Sequence, residues 1–340
     1  MTGANNLTPG FIKGRILLNL DSEDEGQLYI GCAGGANTTA TFTFQPNAVP
    51  DDYVVIQISL TGLRGGHSGV DIHLGRGNAN KIMNDLLLVA TSDFGLSIAS
   101  INGGSLRNAI PRESVALAVV PSGNLVNLID WFETYKQIII DKFSAAESEI
   151  SIALNQIDSV DSIMDITTQN NLLNAVRDIP DGVITMSESV SGIVETSNNL
   201  AIISTHDNMI EVACMLRSLV DVSRDELADR LLNIFQSNNS QAVNSGVYPG
   251  WKPNVNSPVL GNMKSIYQRQ FGNSPEIKVI HAGLECGIIG DKYPGMDMIS
   301  FGPTIRHPHS PVEKVNIVSV EKFWSYLCEV LSSKISNQII

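Results

Sequence analysis

Thr61-Gly-Leu-Arg-Gly-Gly-His-Ser-Gly69 sets four glycines around one histidine within nine residues, and the punctuation continues through Asp71-Ile-His73 to Gly75-Arg-Gly-Asn-Ala-Asn80. A strand buried in a core has little use for so many residues without a Cβ, whereas a loop that needs positive φ or close backbone approach does. Just upstream, Val54-Val-Ile-Gln-Ile-Ser-Leu60 alternates like a half-exposed strand, and just downstream Asn78 to Ala90 carries helical spacing. The segment thus reads as a strand end opening into a built loop that presents His67. Taken alone, His67 is read equally as a turn histidine whose glycines serve only the backbone.

Outward from this loop, two textures alternate. On the N-terminal side Arg15-Ile-Leu-Leu-Asn-Leu20 is a short apolar run ending in Asp-Ser-Glu-Asp-Glu, the pattern of a buried strand opening at its carboxyl end onto a polar loop. Open α/β sheets place ligands at that edge. On the other side follow strands around 97–102 and 114–120, then an amphipathic helix over 124–150 carrying Leu125, Leu128, Trp131, Phe132 and Tyr135. A second block has strands at 182–185, 192–196, 200–204 and 209–216, a helix over 224–235 and a closing strand at 241–246. Two α+β units in tandem, around 52–121 and 182–246, suggest an inserted lid of antiparallel sheet with helices on one face. Beyond Tyr248-Pro-Gly-Trp-Lys-Pro253 the α/β texture returns, with a helix over 258–271, strands at 276–281 and 297–301, and a helix from Val318 to about Lys334. The expected architecture is an α/β domain made of residues 1–36 and 248–340, interrupted by an α+β lid over 37–247.

With 35 acidic and 22 basic residues among 340, the formal charge of −13 repels a phosphate backbone, which excludes nucleic acid as a natural partner. No stretch approaches the roughly 18–20 apolar residues of a membrane span, and Met1-Thr-Gly-Ala-Asn-Asn lacks a signal-peptide pattern, so a cytoplasmic location is expected. Cys32, Cys214, Cys286 and Cys328 stand far apart and suit reduced thiols better than disulfides or a zinc knuckle.

Read alone, several polar residues stay ambiguous. Asp21 after a strand is a turn former or helix cap, and Asn108 in Leu106-Arg-Asn-Ala-Ile-Pro111 is an ordinary turn residue. Arg217 ends the strand Val212-Ala-Cys-Met-Leu-Arg, a costly place for a guanidinium unless a carboxylate meets it, and Asp221 is one candidate.

Asn19-Leu-Asp-Ser-Glu23, the His67 loop, Gly103-Gly-Ser-Leu-Arg-Asn-Ala-Ile-Pro111, His281-Ala-Gly-Leu-Glu-Cys-Gly287 and Pro308-His-Ser-Pro-Val-Glu313 together resemble, essentially end to end, the Xaa-His dipeptidases (aminoacylhistidine dipeptidases). These are a branch of the dinuclear zinc exopeptidases that includes the carnosinases. The resemblance implies a zinc-exopeptidase α/β catalytic domain with an inserted lid, hydrolysis of dipeptides of the Xaa-His type, and two zinc ions. It implies metal-donor roles for Asp21 and His309, and a lid role for His67 in stabilising the oxyanion formed at the peptide carbonyl. Asn108 is expected to hold substrate nearby, Arg217 to meet the free C-terminal carboxylate of the dipeptide, and His281 and Glu285 to lie on the pocket floor. His73, His206 and His307 match nothing as specific. A deacylase of N-acyl amino acids is a further member of the same hydrolase group, though the long lid and the His281 loop point to the dipeptidase branch.

The resemblance also sets an expectation about what is missing. In that family a His-x-Asp segment, a bridging Asp and a Glu-Glu pair with the general base precede the stretch that Met1-Thr-Gly-Ala resembles, and neither His-x-Asp nor Glu-Glu occurs in these 340 residues. The expectation is an incomplete catalytic domain, a weak or partial zinc site and negligible activity alone. Uncovered strand edges would then favour a homodimer or a complementing N-terminal fragment. The contrasting reading is a non-catalytic binding or oligomerisation module derived from such a peptidase.

Overall fold

In the computed structural model, residues 2–188, 190–306 and 312–333 are described. The chain divides into two compact units, one of residues 1–34, 219–221 and 248–340, the other of residues 35–218 and 222–247.

The first unit is built on a four-stranded sheet. Ile16–Asn19 runs parallel to Asp297–Ser300, and Gln27–Cys32 runs parallel to Glu276–Ile280. The two pairs meet through an antiparallel bridge between Tyr29 and Ser300. Helix Pro258–Phe271 starts where the sequence says it should: the Ser257 hydroxyl accepts from the Leu260 N–H, proline takes the first helical position, and Gly272 closes the helix at φ 78°. Its buried Met263, Ile266 and Tyr267 face helix Ile317–Ser332, where Tyr326 and Leu327 are buried. The Tyr267 and Tyr326 rings meet edge to face at 5.2 Å, and Phe301 joins them at 5.6 Å from Tyr326.

The second unit holds a nine-stranded sheet in which the strands run, in spatial order, Ser151–Gln156, Tyr53–Thr61, Ser114–Pro121, Ser97–Gly103, Val194–His206, Met209–Ser218, Gly34–Thr43 and Gln241–Tyr248, with Gly182–Met186 also paired to Val194–His206. The two tandem α+β blocks are therefore halves of one sheet, joined where Ile203 and Ser204 pair with Gly103 and Asn102. Helices Ala79–Phe94, Leu125–Phe143, Ile166–Asp178 and Asp221–Ser237 contribute to a single apolar cluster with this sheet, including Met83, Leu87, Phe132, Leu173 and Phe235.

Several elements differ from their sequence reading. The helix expected to reach Ile150 stops at Phe143. Glu147 is 2% exposed in the turn beyond, and its carboxylate accepts from the Arg64 and Gly77 N–H groups at 2.7 and 2.9 Å. A continued helix would carry that carboxylate away from both amides. The segments 192–196 and 200–204 form one strand, Val194–His206, bent by a register shift between Leu200 and Ile202. Strands Gly34–Thr43 and Ser151–Gln156 and helix Ile166–Asp178 had no counterpart in the sequence reading. Three of the four cysteines are buried and all are free. Among the described residues no helix is long and apolar enough to cross a membrane.

Gln169 shows how tightly the sheet and helices are tied. Fully buried, it accepts from the Ile98 N–H at 2.7 Å and donates to the Thr91 hydroxyl and the Leu96 carbonyl, both at 3.0 Å. Gln169→Leu strands these groups away from water and is expected to lower unfolding free energy by about 2–4 kcal/mol, read from urea denaturation. A loss below about 0.5 kcal/mol would show that the network is dispensable.

Candidate functional site

The His67 loop is shaped by two glycines that no other residue replaces easily. Gly65 and Gly66 adopt φ of 63° and 144°, and a Cβ on Gly66 would come within 2.2 Å of Arg76 Nη1 and 2.7 Å of Asp71 Oδ2. Asp71 pairs with Arg76 at 3.4 Å, and its Oδ2 accepts from the His67 backbone N–H at 2.9 Å. Arg76 in turn donates to the Gly65 carbonyl at 2.5 Å. The brace holds Gly66–His67 as a short strand against Ala109–Ile110.

The ring of His67 is fixed by backbone as well. Gly69 and Val70 donate their N–H groups to Nδ1 at 3.1 and 3.0 Å, so Nδ1 is an acceptor and the proton of the neutral ring sits on Nε2. Burial, followed by the nearby Arg217 guanidinium, pushes the ring's pKa below its ordinary value, and the Asp71 carboxylate opposes this only in part. His67 is thus a neutral imidazole with a committed Nε2–H donor.

Asn108 immediately precedes the paired strand. Its side chain is exposed and its carbonyl accepts from the Ser68 N–H at 2.9 Å, which places it beside the His67 loop. The segment is held from beneath by Asn199, 1% exposed, whose amide donates to the Arg107 and Ala109 carbonyls at 3.2 and 2.8 Å. Arg107 itself donates to the Thr39 hydroxyl at 2.9 Å and pairs with Glu211 at 3.5 Å. Arg217 is 4% exposed on Met209–Ser218, and Met215 links it to the loop: Arg217 Nη2 lies 3.6 Å and Ser68 Oγ 4.0 Å from Met215 Sδ. The structure therefore gathers His67, Asn108 and Arg217. Asn199 and Met215 were missed in the sequence. An amide pair, Asn198-Asn199, immediately before the apolar run Leu200–Ile203 was the available signal for the first, while nothing local marks the second.

In the first unit, Asp21 follows strand Ile16–Asn19 and is exposed. Its approach is fixed by Ser300, whose hydroxyl meets the Ser22 hydroxyl at 2.7 Å and accepts from the Asn19 amide at 2.9 Å. Asp21 lies at the end of its strand, whereas His281 ends a strand of opposite direction. Helix Glu285–Lys292 nevertheless brings Cys286 within electrostatic reach of Asp21. His281 is 7% exposed and Glu285 occupies the first turn of that helix. His309 and His307 lie outside the described residues. His73 is exposed in a short helical turn, and His206 is exposed with Nε2 2.8 Å from the Ser204 hydroxyl.

The described residues alone do not assemble a zinc site. Among them no three His, Cys, Asp or Glu side chains converge as a metal-binding group, and Asp21 with His309 gives fewer donors than the three or four a zinc site uses. Burial, with smaller contributions from neighbouring groups, pushes the Cys32 thiol up to about 11 and the Cys286 thiol up to about 12.

Residues 58–147 match the model of the peptidase dimerisation domain. The chain is 38% identical over 331 residues to the cytosol non-specific dipeptidase of Escherichia coli K12, across 97% of this chain and 68% of that protein. It is also similar to the crystal structure of aminoacylhistidine dipeptidase from Vibrio alginolyticus, at 42% identity and a TM-score of 0.92, covering 98% of this chain and 68% of that one. With identities of 38% and 42% across nearly the whole of it, the chain belongs to the aminoacylhistidine dipeptidase family of peptidases.

Proposed function

We propose that this chain carries the substrate-binding part of a zinc-dependent hydrolase of Xaa-His dipeptides, with the second unit serving as its lid. The observation that carries the reading is the state of His67. A neutral ring with Nδ1 locked by two amides offers Nε2–H as a donor that needs no reorganisation when negative charge develops on a carbonyl oxygen. The buried guanidinium of Arg217 nearby supplies a full positive charge for the free carboxylate of a dipeptide, and a charge-assisted pair of that kind orients as well as binds. The exposed Asn108 amide, tied to the same loop, adds a neutral hydrogen-bonding group. The names of the two relatives, a non-specific dipeptidase and an aminoacylhistidine dipeptidase, support dipeptides as the substrate class.

The same reading gives Asp21 and His309 as zinc donors and His281 and Glu285 as pocket-floor residues. Zinc bound by the family would polarise a water and the scissile carbonyl. These 340 residues supply neither His-x-Asp nor Glu-Glu, so further donors and a general base have to come from outside them. The match to a peptidase dimerisation domain supports a homodimer, and the cytosolic relative supports a cytoplasmic location.

The 340-residue chain by itself is expected to retain less than one zinc per chain in native mass spectrometry and to cleave carnosine-like peptides negligibly. Two retained zinc ions with turnover typical of the family would overturn this donor inventory.

A second expectation concerns His67. Long-range ¹H–¹⁵N spectra should show its Nε2–H tautomer, with a titration midpoint below the ordinary 6.5. Arg217→Met removes a positive neighbour and should move that midpoint upward. Because the folded ring resists protonation, its contribution to stability is present above pH 6.5 and is lost as the pH falls below it. An Nδ1–H tautomer, or a midpoint above 6.5, would remove His67 from the role.

A further inference from the structure

The pairing that positions His67 has a second consequence on its other flank. Gly66 faces Ile110 and His67 faces Ala109 in an antiparallel register. The pairing ends at Gly66, where the chain turns through Gly65 at φ 63°, and Arg64 and Arg112 stand on the two sides of that turn. The close approach is visible at the glycine between them: a Cβ on Gly65 would stand 3.2 Å from the Arg112 Cβ and 3.0 Å from the Ile110 carbonyl oxygen. Like charges held close together repel. Neither guanidinium has an ion pair among the described residues, as is also true of Arg15 and Arg230, whereas Arg76, Arg107, Arg177, Arg224, Arg269 and Arg306 each meet a carboxylate in this chain of net charge −13.

Both arginines are exposed and line one cavity of about 580 Å³, whose wall also includes Gly66, Ser105, Ala109, Ile110 and Glu113, so it borders the His67 strand pair although neither His67 nor Arg217 lines it. Glu113 makes no ion pair with either of them. The size suits a small organic ligand. Arg64 is held at its backbone by the Glu147 carboxylate, which fixes where its side chain starts while leaving the exposed guanidinium able to move onto a ligand.

We propose that Arg64 and Arg112 form a clamp for a carboxylate-bearing small ligand, a site separate from His67 and Arg217 and independent of the dipeptidase reading. A carboxylate between the two guanidinium groups would accept charge-assisted hydrogen bonds from both and cancel their repulsion. The same chemistry fits a free dicarboxylate or the acidic side chain of a short peptide.

Calorimetric titration of the intact 340-residue chain with succinate, Ala-Glu and Ala-Gln at low salt separates these sources. Saturable binding of succinate is expected, weakened about tenfold in Arg64→Ala and in Arg112→Ala and abolished in the double variant, while Arg177→Ala, at an exposed arginine already paired with Asp178, leaves it within about twofold. Ala-Glu binding tighter than Ala-Gln by about tenfold and than succinate would identify a peptide side chain, and succinate binding tighter than either peptide would identify a free dicarboxylate. In the unmodified chain, succinate should shift the Nε–Hε resonances of Arg64 and Arg112, which guards against variants that fail to fold. No saturable binding, or binding lost in Arg217→Met and kept in the Arg64 and Arg112 double variant, would overturn the clamp.

Discussion

The junction between strands Ser97–Gly103 and Val194–His206 is the constraint on which the site depends. Only two residue pairs join the halves of the nine-stranded sheet there, and the surrounding side chains reinforce them. The Thr205 hydroxyl accepts from the Ile101 N–H and donates to the Ile101 carbonyl, while Asn102 accepts from the Thr205 N–H. Asn78 and Asn80 both donate to the Leu200 carbonyl from the helix start beneath. At Gly104 a Cβ would lie 1.9 Å from the Ala201 carbonyl oxygen, so the approach of the two halves requires a residue without one. Without this seam, Asn199 and Arg217, which come from the second half, would have no fixed relation to His67 and Asn108, which come from the first.

That seam turns a set of separate motifs into one electrostatic environment. Arg217 on its own would be an expensive buried charge, and His67 on its own would be a loop histidine free to choose its tautomer. Together, each defines the other: the guanidinium disfavours a second positive charge on the ring, and the amides of Gly69 and Val70 take up the ring nitrogen that would otherwise accept a proton. The turn at Gly65, just beyond the same strand pair, keeps Arg112 close to the Arg64 side of the loop. One short strand pair therefore organises positive or donor groups on both of its flanks.

Much of this was legible locally. The glycine-rich loop announced His67, the Ser257-Pro258 start and Gly272 stop bounded a helix to the residue, and the apolar run before Asp21 announced a strand. What escaped depended on distant partners. The helix after Asn124 ends early because Glu147 is needed by the Arg64 and Gly77 amides, which lie far upstream. Strand Gly34–Thr43 was missed for a different reason: Thr39-Ala40-Thr41-Phe42-Thr43 does alternate with period two, but the glycines and small residues at its start mask the pattern. Met215 carries no local signal at all, since a thioether between Ser68 and Arg217 matters only once both arrive.

The sequence by itself determined the kinds of elements, the positions of the glycine turns and the side chains able to bind or donate, because these follow from local spacing, backbone permissiveness and chemical type. Tertiary structure decided which of those side chains share an environment, which nitrogen of His67 carries the proton and which arginines are left facing one another. The physical reason is that hydrogen-bond saturation, burial and charge repulsion are set by groups from remote parts of the chain, and their distances exist only after the sheet has closed its register.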